Sequence, residues 1–245
     1  MLKKTVFVGD LHLSADRPDI TQAFVSFLNH GLDNTEALYI IGDLFEVWMG
    51  DDIAEPFSVA IAEAIKTVSN TLPVYFIHGN RDFMIGKQFC QRAGMQILPE
   101  IYCIDLYGVN TVILHGDSLC TLDIAYQRFR RFRSIGAVRW IYQHLPQQTR
   151  LNIAAKIRQN SQQGNQQKNN TIMDVDPTAV EQLMQQTQCP RMIHGHTHRP
   201  AIHQLPEQKQ RIVVGDWYTQ ASVLNVSENG CELLKLPFLA TDSNP

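Results

Sequence analysis

The chain has 245 residues, 44% hydrophobic and 18% charged, which fits one large globular domain or a domain carrying an insertion. Its five cysteines are odd in number, widely spaced and free of any CxxC, which argues against a disulfide framework and a zinc ribbon and for a reducing compartment. No run approaches the ~20 apolar residues of a membrane helix and no apolar leader precedes the first strand pattern, so a cytoplasmic protein is expected, free to lie on a membrane surface.

The first 115 residues alternate strand and helix patterns. Residues 4–9, 37–42, 73–78, 101–106 and 109–114 are short and rich in Val, Ile, Leu and Tyr, and read as strands. ITQAFVSFLNHGL and FSVAIAEAIKTVSN carry apolar residues at helical spacing between them. This order predicts βαβ units and an α/β fold with a parallel sheet. Residues 121–170 are polar and helical in spacing, with nine Lys/Arg against one acid, Asp123. That segment carries +8 within a chain of net charge −3, leaving −11 elsewhere, and points to an anionic partner. A helix follows from about Pro177 to Gln186, with Asp176 as its cap and Pro177 at its first position. RMIHG, AIHQL, RIVVG, SVLNV and CELLKL then return to strands, expected to form a second, mostly antiparallel sheet. The expected domains are a core of 1–120 and 171–240, a basic helical cap at 121–170 and a disordered tail at 241–245.

Seven residues of metal-ligand type stand at the ends of the apolar runs: Asp10, His12, Asp43, Asn80, His115, His196 and His198. Polar groups delivered from strand C-termini are how α/β folds build a site. Asp10-x-His12 and His196-x-His198 are i, i+2 pairs, which point the same way in an extended chain. Asp43 can bridge two cations with its two oxygens. One cation is expected on Asp10, His12, Asp43 and His198, the other on Asp43, Asn80, His115 and His196. Oxygen and nitrogen donors without thiolate suit Mn²⁺, Fe or Zn²⁺ and do not choose among them. A cation pair activates water and offsets phosphoryl charge, so phosphoester chemistry is expected.

GDLHL, GDLFE, GNRD, HGD and GHTH, in this order, resemble the calcineurin-like metallophosphoesterases over about residues 5–220 apart from the insertion. The resemblance implies a β-sandwich flanked by helices. Arg81 departs from the GNH[DE] usual there. Arginine stays charged and cannot protonate a leaving group, but it grips phosphate with two donors, which favours cleavage of a phosphoanhydride. GNRDF, LHGDSLCTLD, the basic insertion and IHGHTHRPAIH are similar to a narrower family covering nearly the whole chain, the UDP-2,3-diacylglucosamine pyrophosphohydrolases of Gram-negative lipid A synthesis. That resemblance implies hydrolysis to 2,3-diacylglucosamine 1-phosphate (lipid X) and UMP, by water attack on the α-phosphate. It also implies two Mn²⁺ and work at the cytoplasmic face of the inner membrane. The substrate contacts it implies are Asn80, Arg81, Asp123, Ser161, Asn165, Lys168 and His196. Asp216, in GDWYTQAS, departs from the GAWH of such relatives and could alter a contact behind the ligands.

In that setting the insertion reads as a lipid groove. Phe129, Phe132, Ile135, Trp140, Ile141, Tyr142 and Leu145 are its candidate walls, with interleaved arginines facing anionic lipid. The alternative is a small helical core with a solvated basic face. No nucleic-acid partner is expected, because the basic block is compact rather than a long track with stacking aromatics, and a monomer is expected. Rival functions are another metallophosphoesterase, such as a dinucleoside polyphosphate hydrolase or a phosphoprotein phosphatase, and a non-catalytic scaffold on this fold. His78 and His194, in apolar strands, are candidates for the layer behind the ligands.

Overall fold

Residues 2–53, 55–156 and 174–238 are described by the structure, a computed structural model. The first three strand-forming runs become β1 (Lys4–Val8), β2 (Thr35–Ile41) and β3 (Val74–Ile77), joined side by side in parallel and continued by β4 (Met95–Ile97). Their crossovers are α1 (Pro18–His30), α2 (Pro56–Ser69) and α3 (Lys87–Ala93). Both α1 and α2 begin with proline, whose fixed φ suits the first helical turn. The sequence pattern missed α3 and β4, whose seven and three residues are too short for a periodicity to register. Gly94, at φ +66, ends α3 in the left-handed conformation and turns the chain straight into β4.

The second sheet holds β5 (Tyr102–Leu106), β6 (Val109–Ile113), β7 (Arg191–His194), β8 (Ala201–Gln204) and β9 (Gln210–Val213), in the order β5-β6-β7-β9-β8. Its centre is parallel, β6 with β7 and β7 with β9, and only the two edges are antiparallel. The last hairpin, β10 (Gln220–Ser227) with β11 (Gly230–Pro237), does not join it. It crosses to the first sheet and pairs β10 antiparallel with β1. The expectation that all the final strands build one mostly antiparallel sheet is therefore corrected. Strand patterns reveal which residues pair but not with which edge, and β1 still had an open edge.

The alternation of β1 distributes its side chains. Val6 and Val8 pack toward α1, α2 and α3, among Phe24, Ile61 and Phe89. Phe7 faces the second sheet with Tyr39, Ile41, Ile113, Ile193 and Ile212. The outer face of the second sheet, Val112, Leu114 and Met192, is covered by α7 (Pro177–Thr187) through Val180, Leu183 and Met184. Asp176 caps α7 as expected, accepting from the Thr178 N–H at 2.9 Å. The result is a helix–sheet–sheet–helix sandwich in which β1, β2, β3, β6 and β7 all end along one rim.

Between β6 and α7 lie α4 (Ile124–Ser134), α5 (Gly136–His144) and α6, a helical stretch through residues 147–156. Ser161, Asn165, Lys168 and the tail 241–245 lie outside the described residues. No described helix is long and apolar enough to cross a membrane.

Candidate metal centre

The loops leaving β1, β2, β3, β6 and β7 are stitched to one another before they reach the rim. The Asp10 N–H donates to the Gly42 carbonyl (3.0 Å), His12 to Asp43 (2.9 Å) and Gly195 to His115 (2.8 Å). The i, i+2 pairs are not extended. Asp10, His12, Asp43, His196 and His198 have φ of 52°, 50°, 52°, 69° and 55°. These are half of the ten described non-glycine residues with positive φ, and such strain collects where surrounding structure holds a functional geometry. Left-handed turns, not strand alternation, bring both members of each pair to the centre.

Asp10, His12 and His198 offer ligand atoms within 4.8 Å of one another, and so do Asp10, Asp43 and His115. His12 Nε2 and His198 Nε2 are 3.3 Å apart, and His198 Nε2 is 3.5 Å from Asp10 Oδ1. Asp43 Oδ2 lies 3.8 Å from His12 Nε2 and 3.7 Å from His115 Nε2, between the two halves. His115 Nε2 is 3.1 Å from Asn80 Oδ1, and the His196 ring packs edge-on against the His115 ring at 5.1 Å. All seven predicted residues therefore meet at one place. Asp43 has the position needed to serve both halves.

The other atoms of these side chains are used to fix them. Asp43 Oδ1 accepts the Arg81 N–H (2.8 Å), and Asp10 Oδ2 accepts the His196 N–H (2.7 Å). His115 Nδ1 faces the Ile41 carbonyl at 3.0 Å. Asp10 Oδ1 is buried and faces His198 Nε2 at 3.5 Å without a hydrogen bond among the described residues, and a buried carboxylate oxygen so incompletely partnered favours a cation. The donor set and this oxygen both fit a divalent metal pair. Burial, reinforced by His115, lowers the pKa of His196 to about 4, leaving a neutral imidazole of the kind that ligates. Burial acts against charge on His198 too, but Asp10 and Asp216 overcome it and raise its pKa to about 10.

Three neighbours that the ligand motifs left unassigned complete the frame. Asp82, the last residue of GNRD, accepts from the Leu44 (2.7 Å) and Gly79 (2.8 Å) N–H groups and so ties the second and third loops together. Burial and the nearby Asp43 raise its pKa to about 7. Asp117, two residues past His115, receives Tyr126 Oη (2.5 Å), Arg130 Nε (3.1 Å) and Arg133 Nη2 (3.1 Å). Arg133 also donates to the Asn80 carbonyl at 2.9 Å. The only sequence signal for Asp117 was its place in HGD. Glu46 lies 3.0 Å from His12 Nδ1 and 3.6 Å from Arg81 Nη1.

The expectation for the insertion's arginines changes in part. Arg130, Arg133, Arg139 and Arg150 turn inward, to Asp117 and Glu100, to Asp117 and Asn80, to the Phe83 carbonyl, and to Asp52. Arg128, Arg131 and Lys156 remain exposed. Asp123 caps α4 by accepting the Tyr126 N–H at 3.1 Å. His78 Nε2 is held at 2.7 Å from the Ile85 carbonyl, and His194 Nδ1 at 2.9 Å from the Gly195 carbonyl, so both brace the backbone near the site.

Beside the centre opens a cavity of about 260 Å³ whose lining includes Asn80, Arg81, Phe83, Phe129, Phe132 and Tyr142. Three of the seven predicted groove residues line it: Phe129, Phe132 and Tyr142. Ile135, Trp140 and Ile141 are instead more than half exposed on the outer surface of the insertion, and Leu145 is half-buried away from the cavity. The core itself supplies walls that the pattern missed, Val47, Trp48 and Met84.

The fit at the rim leaves no room for a side chain at Gly79. A Cβ there would stand 2.1 Å from Asp43 Oδ1 and 2.4 Å from its backbone nitrogen. Gly79→Ala is expected to displace Asp43 and to lower kcat at least about tenfold while costing roughly 1–3 kcal/mol of stability. Steady-state kinetics with thermal unfolding would check it, and wild-type values in both would refute the packing argument.

Comparison with known proteins agrees with this architecture. The calcineurin-like phosphoesterase family matches residues 3–200. A UDP-2,3-diacylglucosamine hydrolase of Shewanella frigidimarina is 80% identical over 241 residues, 98% of this chain and 100% of that protein. One from Shewanella pealeana is 66% identical over 235 residues, 96% of this chain and 99% of the other. Among solved structures, vacuolar protein sorting 29 from Cryptosporidium parvum shares the fold at 14% identity. Its TM-score is 0.54, over 99% of this chain and 95% of that one. From full-length similarity and a shared sandwich, the chain belongs to the calcineurin-like phosphoesterases, in the branch whose curated members are named UDP-2,3-diacylglucosamine hydrolase.

Proposed function

We propose that this protein hydrolyses the pyrophosphate of UDP-2,3-diacylglucosamine, giving 2,3-diacylglucosamine 1-phosphate and UMP. The observation that carries this reading is the apolar cavity that shares Asn80 and Arg81 with the polar centre. A charged head and greasy tails in one substrate require those two environments to adjoin. The names of the relatives at 80% and 66% identity support the same substrate.

In this reading Asp10, His12, Asp43 and His198 hold one cation, and Asp43, Asn80, His115 and His196 hold the other, with Mn²⁺ as the metal. When bound, such a pair lowers the pKa of water and offsets charge on the phosphoryl oxygens. The protein's own groups do the rest. Asp43, fixed by the Arg81 N–H, keeps the two halves in register. Arg81, half-buried beside Glu46, presents its guanidinium to the pyrophosphate and remains charged throughout. It donates no proton. The bond that breaks is the Pα–O bond to the sugar phosphate. Water oxygen ends on UMP, and the departing phosphate is a weak base that needs no acid. Phe129, Phe132 and Tyr142 shelter acyl chain, each buried CH₂ contributing about 0.8 kcal/mol. Asp123, Ser161, Asn165, Lys168 and His196 complete the proposed substrate contacts.

A cytoplasmic-face, membrane-surface location is supported by the outer face of α4 and α5. There Ile124, Ile135, Trp140 and Ile141 are exposed beside Arg128 and Arg131.

The test follows phosphorus in ¹⁸O-water after chelation and Mn²⁺ addition, with UDP-2,3-diacylglucosamine beside unacylated UDP-glucosamine. The label is expected on UMP, and the acylated substrate is preferred in kcat/KM by over about a hundredfold, since four sheltered methylenes supply ~3 kcal/mol. Faster turnover of a dinucleoside polyphosphate, or label on the sugar phosphate, would refute the reading.

A further inference from the structure

We propose that Asp216 is a positioning residue that aims His198 at a cation and makes the Asp10–His12–Asp43–His198 half the tighter of two unequal metal sites. This inference rests on reading the centre as a metal pair. Its ground is the side of each imidazole that faces away from the centre. His198 Nδ1 lies 3.1 Å from Asp216 Oδ2, which leaves Nε2 directed at Asp10 Oδ1 and His12. His12 Nδ1 lies 3.0 Å from Glu46 Oε2, a charge contact without hydrogen-bond geometry, with Nε2 toward Asp43. Both imidazoles of this half are therefore backed by a carboxylate. In the other half, His115 Nδ1 is backed by the Ile41 backbone carbonyl, a neutral dipole. A carboxylate behind the ring fixes the proton on Nδ1, holds the ring plane and makes Nε2 a stronger donor to metal than a carbonyl does.

The charges differ in the same direction. The first half counts Asp10 and Asp43 among its ligands, with Glu46 and Asp216 behind. The second has Asp43, the neutral amide of Asn80 and two imidazoles. Its nearby carboxylate, Asp117, is engaged by two arginines, Arg130 and Arg133, whereas Glu46 faces one, Arg81, at 3.6 Å.

Asp216, with its side chain 27% exposed, sits in a backbone segment fixed on both sides. Its neighbour Trp217 is wholly buried, donates its backbone N–H to the Asp10 carbonyl (3.2 Å) and its indole N–H to the Ser222 carbonyl (3.1 Å). On the other side the Gly215 N–H donates to Ser222 Oγ at 3.0 Å. The next residue, Tyr218, stacks on the His12 ring at 5.3 Å and 9°. The segment between β9 and β10 is thus a brace under this half of the centre.

The experiment is an equilibrium Mn²⁺ titration of metal-stripped full-length protein, read as free Mn²⁺ by electron paramagnetic resonance. The wild type and the Asp216→Asn and Asp216→Glu variants are compared, alongside thermal unfolding of the metal-free forms. The wild type is expected to bind two ions with separate affinities. In Asp216→Asn the tighter ion is weakened 10–100-fold, the weaker ion is unchanged and the metal-free unfolding midpoint stays at the wild-type value. Asp216→Glu restores part of the loss. Two ions bound by Asp216→Asn with wild-type affinities, or both weakened equally, would overturn the proposal while leaving the metal pair intact. A wild type that binds no Mn²⁺ would overturn the metal reading itself.

Discussion

Asp43→Ala is expected to reduce turnover by about a thousandfold or more, with the fold retained. Asp43 Oδ2 lies between His12 and His115, 3.8 and 3.7 Å from their Nε2 atoms. In the proposed reading, removing it would leave each half without its shared acid, and paired-metal catalysis depends on such a group. Metal analysis should find fewer than two ions per chain at Mn²⁺ concentrations that fill the wild type. Asp43→Asn separates charge from position: its amide oxygen can still accept the Arg81 N–H that Asp43 Oδ1 receives at 2.8 Å. It should keep the loop in place and still lose most of the activity. An alanine variant that retains two ions and turns over within tenfold of wild type would remove Asp43 from the centre.

The second large effect is on stability. Arg133→Met should cost about 3 kcal/mol, since breaking a buried ion pair strands the partner's charge. For a chain of this size that lowers the unfolding midpoint by roughly 6–12 °C. Arg133 is 7% exposed and spans Asp117, Tyr126 and the Asn80 carbonyl, with its guanidinium 4.2 Å from the Phe83 ring centroid. Burial works against the charge on Asp117, but His115, His196 and the two arginines hold its pKa below the ordinary carboxylate value. A carboxyl depressed in the folded state contributes its stability above its unfolded pKa and loses it as pH falls through the folded one. The gap between wild type and variant should therefore be full at pH 7 and shrink on strong acidification. Denaturant unfolding at several pH values would measure it, and a difference below 1 kcal/mol at pH 7 would dismiss the latch. The same cluster shows why excising residues 121–170 is a poor probe of the lipid groove. It would leave Asp117 buried beside the ligands without Tyr126, Arg130 or Arg133.

Much of the site could be read from the order of the motifs. Each ligand follows an apolar run of four to eight residues, and such runs end at the rim of a parallel sheet because parallel strands share a direction. The Asp176–Pro177 start of α7 was equally legible, since a cap acts on its own next residues. What escaped was set by partners distant in sequence. The left-handed backbone at Asp10, His12, Asp43, His196 and His198 is imposed by hydrogen bonds between loops, and no periodicity announces it. Asp117 looked like the end of a motif until residues on α4 closed over it. The arginines of the insertion formed one basic block in sequence, yet four of them find acids or carbonyls on the core.

By itself, then, the sequence determined the candidate residues that meet at the centre, the parallel strands that carry most of them and the family. These are local properties: residue type, spacing and the apolar period. Only the tertiary structure decided that β10 and β11 join the first sheet, that the cavity is walled as much by Val47, Trp48 and Met84 as by the insertion, and that Glu46 and Asp216 stand behind two of the imidazoles. Those outcomes depend on which open edge, which buried charge and which empty volume a segment meets once the sheets have packed, and that meeting leaves no mark in the spacing of residues along the chain.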